Sequence, residues 1–362
     1  MKTLLLLFTV FLFSTCNSEE KKEVKTKKPN LGEESDSELE PETTNYENEL
    51  DEELSEVDSL PQNLSCSEEE GPIRKLYQLY SREAKKIEFF DSQSLMQTDL
   101  AQCVKASLQM PINAPNGYYM CPNSRTMLSD VSLNFNDRPC VDDSIVVAIS
   151  SELKKATSCL GLNLKFVYSI FHTESRFQPL ITSYTYAAGV GQLTKWPVRE
   201  VNNNWEQLIE DKAYGDCSYL NDEKIKISPE EDTYSCSRIA LKSGLRKNIV
   251  YSTAYILRLY RMIKPKVETW ISSDSNLYSQ KNLVLRYLIR ASYNGGPTMV
   301  LNYFNQFVTD FRSDNIIDYD DFTDRFTDYL RSDSNREAYR YNDKIQNDIS
   351  VLNHQTQIQC GV

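Results

Sequence analysis

Apolar residues recur at the spacing of one helix face over much of the second half of the sequence. In one stretch Val167, Ile170, Phe171 and Glu174 stand at i, i+3, i+4 and i+7, so the carboxylate projects from the same face as the apolar side chains. Pro179 ends this helix, because a residue that precedes proline is disfavoured in the α region. The pattern therefore predicts an acid at a helix end that faces a cleft.

The same spacing predicts further helices over 144–158, 248–260 and 282–291, with two more candidates over 72–90 and 92–110. Asn163 is a candidate N-cap for the Glu174 helix, and Gly161 separates that helix from the preceding one. Aromatic residues near the C-terminus stand at mostly helical intervals, which indicates core positions: Phe304, Phe307, Phe311, Phe322, Phe326 and Tyr329. The predicted fold class is mainly α.

Changes in composition divide the chain into four parts. Residues 1–16 begin with a lysine and continue with an apolar run too short to span a bilayer, which is typical of a secretory signal. Residues 17–65 are Lys-rich and then Glu-rich, so we expect a disordered acidic tether. Residues 66–141 hold four cysteines and several prolines, and we interpret them as a disulfide-stapled helical and loop subdomain. Residues 142–362 form the main domain.

The net charge of −12 comes largely from the tether. Residues 33–58 contain thirteen acids and no lysine or arginine, whereas residues 59–362 carry a net charge of only −2. Nucleic-acid binding requires a basic face that such a balance does not provide. The charge therefore predicts no nucleic-acid partner.

The end of the signal segment, Leu12-Phe13-Ser14-Thr15-Cys16, resembles a bacterial lipobox, in which the chain is cut before a cysteine that takes up lipid. The alternative is ordinary signal cleavage nearby. Lipid on Cys16 would anchor the protein to a membrane, and we expect a periplasmic protein attached to the outer membrane. Ordinary cleavage would instead give a secreted protein.

Cysteine parity favours lipidation of Cys16. The other eight cysteines are even in number, which fits a disulfide framework in an exported chain: Cys66, Cys103, Cys121, Cys140, Cys159, Cys217, Cys236 and Cys360. Their connectivity cannot be deduced from the sequence. No cysteines have metal-ligand spacing and the only histidines are His172 and His354, so we expect no metal site.

Glu174 is the candidate catalytic residue. A carboxyl group partly shielded from water has its charged form disfavoured, so we expect a raised pKa that suits a proton donor near neutral pH. The alternative is a solvated surface glutamate, which is the usual role of a lone glutamate near a helix C-terminus.

Glu174 belongs to an ordered set of short motifs. It begins Glu174-Ser-Arg-Phe-Gln-Pro179, which Ser183 follows, and then Ala188-Gly-Val-Gly-Gln-Leu-Thr194. Ala291-Ser-Tyr-Asn-Gly-Gly-Pro297 comes about a hundred residues later, and Glu337-Ala-Tyr-Arg-Tyr341 later still. The set resembles the catalytic domain of lytic transglycosylases of the soluble (SLT) type, which are related to goose-type lysozyme.

The resemblance implies a lysozyme-like domain over most of 142–362 and a peptidoglycan substrate, with no cofactor. It implies cleavage of the β-1,4 bond between N-acetylmuramic acid and N-acetylglucosamine, with formation of a 1,6-anhydro ring. Glu174 would be the acid, and six residues would bind substrate or line the cleft: Ser183, Gly189, Gln192, Tyr293, Asn294 and Tyr341. Gly189 and Gly191 would let the backbone approach the glycan, and Tyr293 would lie close to Glu174.

The sequence departs from the family pattern at several positions. Tyr186 stands where the first loop glycine is usual, Gly191 replaces a methionine, and Gln178 replaces Asp or Asn. Residues 198–247 form an insertion. Because Cys217 and Cys236 are its only cysteines and close a short loop, we predict a Cys217–Cys236 bridge that holds the insertion as a lobe over the cleft.

The number of acids separates two enzymatic functions. Glycoside hydrolysis ordinarily uses two carboxylates, and no second one lies between Ser175 and Val198. One acid suffices if the sugar's own C6 hydroxyl attacks, as in transglycosylases. A hydrolytic muramidase would need a second acid, for which the insertion offers Glu206, Glu210, Asp211 and Asp216. A non-catalytic peptidoglycan-binding protein is the third alternative, although it would not need Glu174.

Overall fold

The computed structural model describes residues 98–110, 119–120, 141, 143–179, 181–183, 187–223, 225–227, 244–331 and 336–361. The signal segment, Cys16, the tether over 17–65, the candidate helix over 72–90 and Tyr186 lie outside these residues. Within the described ranges no helix is both long enough and apolar enough to cross a bilayer.

The structure is mainly helical, which confirms the predicted fold class. The α-helices are α1 Asp99–Gln109, α2 Asp143–Leu160, α3 Leu164–Ser175, α4 Lys195–Asn203, α5 Trp205–Leu208, α6 Gly244–Trp270, α7 Lys281–Gly295, α8 Pro297–Asp310, α9 Tyr319–Arg331 and α10 Arg336–Thr356. Short 3₁₀ helices cover Glu210–Lys212, Gly215–Asn221, Tyr278–Gln280 and Ser313–Asn315. Two short strands, β1 Tyr119–Met120 and β2 Ile181–Thr182, pair antiparallel, with Tyr119 opposite Thr182.

Helix α6 is the centre of the fold. It packs against α2, α4 and α7, and its buried face includes Ile249, Tyr251, Ile256 and Leu259. Helix α7 in turn packs against α8 and α10. Burial of an apolar side chain of this size stabilises a fold by about 1.5–3 kcal/mol. Helix α6 therefore holds in place the helices that carry the candidate site residues.

Helix α3, which carries Glu174, begins at the predicted cap and ends at Ser175, before the position at which Pro179 would end it. The Asn163 side chain caps α3 by accepting a hydrogen bond from the Phe166 backbone N–H at 2.9 Å. At the other end Arg176 and Phe177 have φ values of 52° and 61°, in the left-handed region. Phe177 is buried against the Tyr168 ring, with 4.9 Å between the ring centroids. This packing explains why the chain leaves the helix at Ser175.

Aromatic side chains fill the core between α7, α8 and α9. Phe304, Phe307, Phe322 and Phe326 are buried, and their rings pack edge to face or stacked with centroid separations between 5.4 and 6.0 Å. Such pairs contribute about 0.5–1.5 kcal/mol beyond the burial of area. The prediction that these residues are core aromatics is confirmed.

The predicted Cys217–Cys236 bridge is wrong, because Cys217 pairs with Cys159, with 5.5 Å between their Cα atoms. The 3₁₀ helix that contains Cys217 packs on α2, whose last turn carries Cys159. Leu220 lies in the hydrophobic core beside this contact. The first part of the 198–247 insertion is therefore fastened to α2 instead of closing on itself.

A second disulfide joins Cys103 of α1 to Cys360, with 5.5 Å between their Cα atoms. Helix α1 belongs to the predicted subdomain over 66–141, yet Val104 and Leu108 lie in the same hydrophobic core as α2 and α3. The bridge thus fastens the first described helix to the segment that follows α10. The two bridges agree with the expectation of a disulfide framework.

Loss of the Cys103–Cys360 bridge is expected to destabilise the fold. The bridge spans 257 residues, and closing so long a loop restricts the unfolded chain strongly, so Cys360→Ser should lower the free energy of unfolding by about 2–4 kcal/mol. Urea unfolding measures this loss. In reducing buffer the variant and the wild type should become equal, and a difference that persists there would show that the serine acts through packing.

Candidate active site

Glu174 is held by a tyrosine from the other end of the domain. Glu174 lies partly buried in the last turn of α3, and α10 packs against this helix. From α10 the Tyr341 hydroxyl donates a hydrogen bond to Glu174 Oε1 at 2.5 Å, and the Tyr341 side chain is only 3% exposed. The structure therefore brings together two predicted site residues that are 167 positions apart.

A close approach of α7 and α10 fixes the position of Tyr341. A Cβ atom on Gly295 would lie 2.7 Å from the Cβ of Ala338, so neither position has room for a larger side chain. Tyr341 follows Ala338 on α10 by about one helical turn. The small residues let α10 lie near enough for Tyr341 to reach Glu174.

Two tyrosine hydroxyls keep their protons at neutral pH beside this carboxylate. Burial raises the pKa of Tyr341 well above its usual value, and the negative charge of Glu174 raises it further, while Arg290 acts in the opposite direction. Burial and then Glu174 likewise raise the pKa of Tyr293. Tyr341 is therefore a hydrogen-bond donor to Glu174 across the physiological pH range, and Tyr293 lies within the electrostatic reach of the same acid.

The loop after α3 is tied to three helices. The Ser175 hydroxyl donates to the Val190 carbonyl at 2.6 Å, and the Tyr293 hydroxyl donates to the Gly191 carbonyl at 2.6 Å. The Gly191 N–H donates to Asn248 Oδ1 of α6 at 2.9 Å. Charge-free hydrogen bonds of this kind contribute about 0.5–1.5 kcal/mol each, and together they hold the loop in one position next to Glu174.

Gly189 and Gly191 allow the loop to approach α6 closely. Gly189 has a φ of 75°, and a Cβ there would lie 2.4 Å from Asn248 Nδ2. A Cβ on Gly191 would lie 1.9 Å from the Ser252 hydroxyl oxygen. The methionine that the family has at position 191 does not fit here, because Ser252 fills its space.

The side chains of Ser183 and Gln192 make hydrogen bonds to backbone groups of the loop after α3. The Ser183 hydroxyl accepts a hydrogen bond from the Ala187 N–H at 3.0 Å. Gln192 is buried, and its Nε2 donates to the carbonyls of Ile181 at 3.2 Å and Gly189 at 2.9 Å. Gln192 Oε1 has no hydrogen-bond partner among the described residues. Both side chains thus shape the wall of the site as well as being candidates for substrate binding.

A cavity of about 880 Å³ lies beside Tyr293. Tyr293 and Asn294 line it, together with residues from α4, α6 and α8, whereas Glu174 and Tyr341 do not. Asn294 Oδ1 has no hydrogen-bond partner within the described part of the chain. Tyr293 therefore stands between the acid and a cavity large enough for a drug-sized molecule.

Glu200 is a cavity residue that the sequence did not single out. Its Oε2 lies 3.4 Å from Arg258 Nε, and both side chains line the cavity. Burial and then the charge of Glu200 raise the pKa of Tyr255 beside them. The sequence signal that could have identified Glu200 was its spacing from Trp196, because residues at i and i+4 share one face of α4.

The four acids proposed for a hydrolytic mechanism lie elsewhere on the surface. All four side chains are exposed and none lines the cavity: Glu206, Glu210, Asp211 and Asp216. The insertion contributes Glu200 to the cavity instead, because α4 packs directly on α6.

One of the two histidines, His172, lies in the core. His172 is buried with its Nδ1 3.0 Å from the Ser107 hydroxyl, and burial lowers its pKa to about 3, so the ring is neutral. Among the residues described, no group of three His, Cys, Asp or Glu side chains is arranged to hold a metal ion.

No protein-family model matches the sequence, and no curated protein matches it either. The likeness to lytic transglycosylases therefore rests on the ordered motifs of the sequence.

Proposed function

We propose that this protein is a peptidoglycan lytic transglycosylase with a lysozyme-like catalytic domain over 142–362. The observation that carries the proposal is the hydrogen bond from Tyr341 to Glu174. The motif at Glu174 and the late motif at Tyr341 were matched to the family separately, and they meet at the one carboxylate that the reaction needs. If the likeness of these short motifs to the family were a coincidence, there would be no reason for Tyr341 to contact Glu174.

Glu174 would act first as an acid and then as a base. Its proton goes to the oxygen that bridges N-acetylmuramic acid and N-acetylglucosamine, and the bond from C1 to that oxygen breaks. The resulting carboxylate then takes the proton of the C6 hydroxyl, whose oxygen bonds to C1. The products are a new N-acetylglucosamine end and a 1,6-anhydro-N-acetylmuramic acid end, and no water is consumed.

The surrounding side chains would orient this chemistry. Tyr341 holds Oε1 of Glu174 and would thereby fix the direction of the carboxyl group toward the glycosidic bond. Asn294 would hydrogen-bond the glycan from the cavity wall, since its Oδ1 meets no acceptor or donor in the described structure. Ser183 and Gln192 would bind from the loop, and Gly189 would keep that loop close to α6.

We place the enzyme outside the cytosol as part of the same proposal. Two disulfides suit an oxidising compartment, and peptidoglycan lies there. Lipid on Cys16 with the tether over 17–65 would let an anchored enzyme reach an immobile polymer, at a distance set by about 5–6 Å times the square root of the tether length.

A hydrolytic muramidase is the second candidate, and one observation favours it. Glu200 lines the cavity that Tyr293 also lines, so a second carboxylate is available on the side of the site away from Tyr341. Its contact with Arg258 at 3.4 Å would orient the carboxylate that activates the water.

Product analysis tests the proposal. If the C6 hydroxyl attacks, it competes as a tethered group with an effective molarity of up to about 10⁵–10⁸ M, and muropeptides should end in 1,6-anhydro-N-acetylmuramic acid. Mass spectrometry of a digest should give ends one water lighter than those from a hydrolytic lysozyme on the same peptidoglycan. A digest dominated by reducible ends would contradict transglycosylation, and loss of those ends in Glu200→Gln would establish hydrolysis.

A further inference from the structure

The Glu200–Arg258 ion pair at the cavity wall has hydrogen-bonding groups that it does not use within the pair. Its one contact joins Arg258 Nε to Glu200 Oε2 at 3.4 Å, and the two side chains are 29% and 42% exposed. A guanidinium has five N–H donors. Among the described residues the remaining donors of Arg258 meet no acceptor, so the pair presents both a negative and a positive group to a molecule in the cavity.

The surroundings of the pair suit a charged organic group. Trp196 lies one turn before Glu200 on α4, is 69% exposed and lines the cavity. The Arg199 guanidinium carbon lies 5.4 Å from the Trp196 ring centroid, so one face of that ring already attracts a cation, as aromatic faces do. Tyr255 and Tyr303 add aromatic surface. An uncharged sugar uses neither charge of the pair, whereas hydrogen bonds between ionised groups are about twice as strong as neutral ones. The complement of this wall is a zwitterion.

Peptidoglycan offers a zwitterion at a suitable place. The N-acetylmuramic acid of peptidoglycan carries a peptide, and where the diamino acid of that peptide is diaminopimelate, its uncrosslinked end has an ammonium and a carboxylate on one carbon atom. Tyr293 lines the cavity and lies within the electrostatic reach of Glu174. A glycan that reacts at Glu174 would therefore have its peptide branch within reach of the pair.

We propose that Glu200 and Arg258 bind the zwitterionic amino-acid end of the peptide branch, with Glu200 on the ammonium and Arg258 on the carboxylate. The proposal rests on the proposed function and assigns the pair to substrate selection. The enzyme consequently prefers glycan strands that carry uncrosslinked peptides over strands from which the peptides have been removed.

The test compares cleavage of three substrates: peptide-bearing strands, the same strands with their free amines acetylated, and peptide-free strands. The wild type should cleave the first faster than the other two by about tenfold, the effect of roughly 1.4 kcal/mol. Glu200→Gln and Arg258→Gln should bring the ratio close to one. The control Glu268→Gln should keep the ratio, since Glu268 pairs with Lys264 on the same helix outside the cavity, with 47% exposure.

A charge swap separates recognition from a structural role of the pair. Glu200→Arg with Arg258→Glu restores an ion pair between α4 and α6 but reverses its direction, and the tethered peptide cannot turn round to match. The swapped protein should lack the preference for peptide. Restored preference, an equal loss on all three substrates in Glu200→Gln, or no preference in the wild type would overturn the proposal.

A binding measurement keeps the inference separate from the catalytic assignment. Glu174→Gln protein should bind a soluble peptide branch with a free diamino-acid end, and binding should fall about tenfold when Glu200→Gln is added or when the peptide amine is acetylated. Unchanged binding in both cases would overturn the inference even if the protein cleaves peptidoglycan. If the Glu174→Gln protein still cleaves peptidoglycan, the proposed function is wrong. The binding result alone then decides whether Glu200 and Arg258 bind the peptide.

Discussion

Glu174→Gln is expected to reduce cleavage of peptidoglycan by at least about 10²–10⁴-fold, the usual contribution of a general acid. The loss should be larger still if one carboxyl performs both proton transfers. The amide keeps the shape of the side chain and its ability to accept a hydrogen bond from Tyr341. We therefore expect the glycan to bind and the fold to persist while the reaction stops, which is measured by the release of soluble muropeptides and by sedimentation with insoluble peptidoglycan.

Glu152→Gln is the matched control. Glu152 is also a helical glutamate, but it is fully buried on α2 and accepts two hydrogen bonds from Arg246, at 2.9 and 3.0 Å. Its replacement should lower the free energy of unfolding by about 1–3 kcal/mol and leave the turnover of folded protein unchanged. Wild-type activity in Glu174→Gln, or equal loss of activity in the two variants at a temperature where both are folded, would remove Glu174 from the mechanism.

Tyr341→Phe is expected to lower kcat by about 10- to 100-fold with little change in KM. The phenol donates a charge-assisted hydrogen bond to the acid, and such bonds contribute about 1.5–3 kcal/mol. Without it Glu174 loses the contact that fixes its orientation toward the glycosidic oxygen. The pH profile should also shift, because the carboxylate loses a donor that stabilises its charged form.

Tyr287→Phe is a suitable control for the tyrosine change. Tyr287 is buried on α7 and its hydroxyl lies 2.9 Å from the Thr327 hydroxyl, in a part of the domain that does not line the active-site cavity. Both variants remove one buried hydroxyl and its hydrogen bond, so their stabilities should fall by similar amounts. An unchanged kcat and pH profile in Tyr341→Phe would show that the contact is structural only.

Local patterns were sufficient to predict four of the helices that hold the site. The apolar spacing gave α2, α3, α6 and α7, and Asn163 gave the start of α3, because a cap depends on residues three positions apart. The end of α3 could not be predicted in the same way. It depends on the burial of Phe177 against Tyr168, and periodicity carries no information about which rings meet in the core.

Long-range contacts were predicted only where a family motif supplied them. The likeness of 337–341 to a late element of the family led to Tyr341, whose contact with Glu174 has no local signal. The Cys159–Cys217 bridge had no such guide, and sequence proximity favoured Cys236 instead. Glu200 was missed because its place at the cavity depends on how α4 packs on α6, which one amphipathic helix does not specify.

The site is assembled from the first and the last of the helices that form it, and this affects the protein during synthesis. A nascent chain contains Glu174 well before residues 336–361 have been made, so its acid is present without Tyr341 and without the Cys103–Cys360 bridge. Contacts between residues so far apart in sequence form late in folding, because the loop between them must close first. A truncated or half-made copy would therefore carry an acid with no fixed direction, and under the proposed function only finished molecules would cleave peptidoglycan.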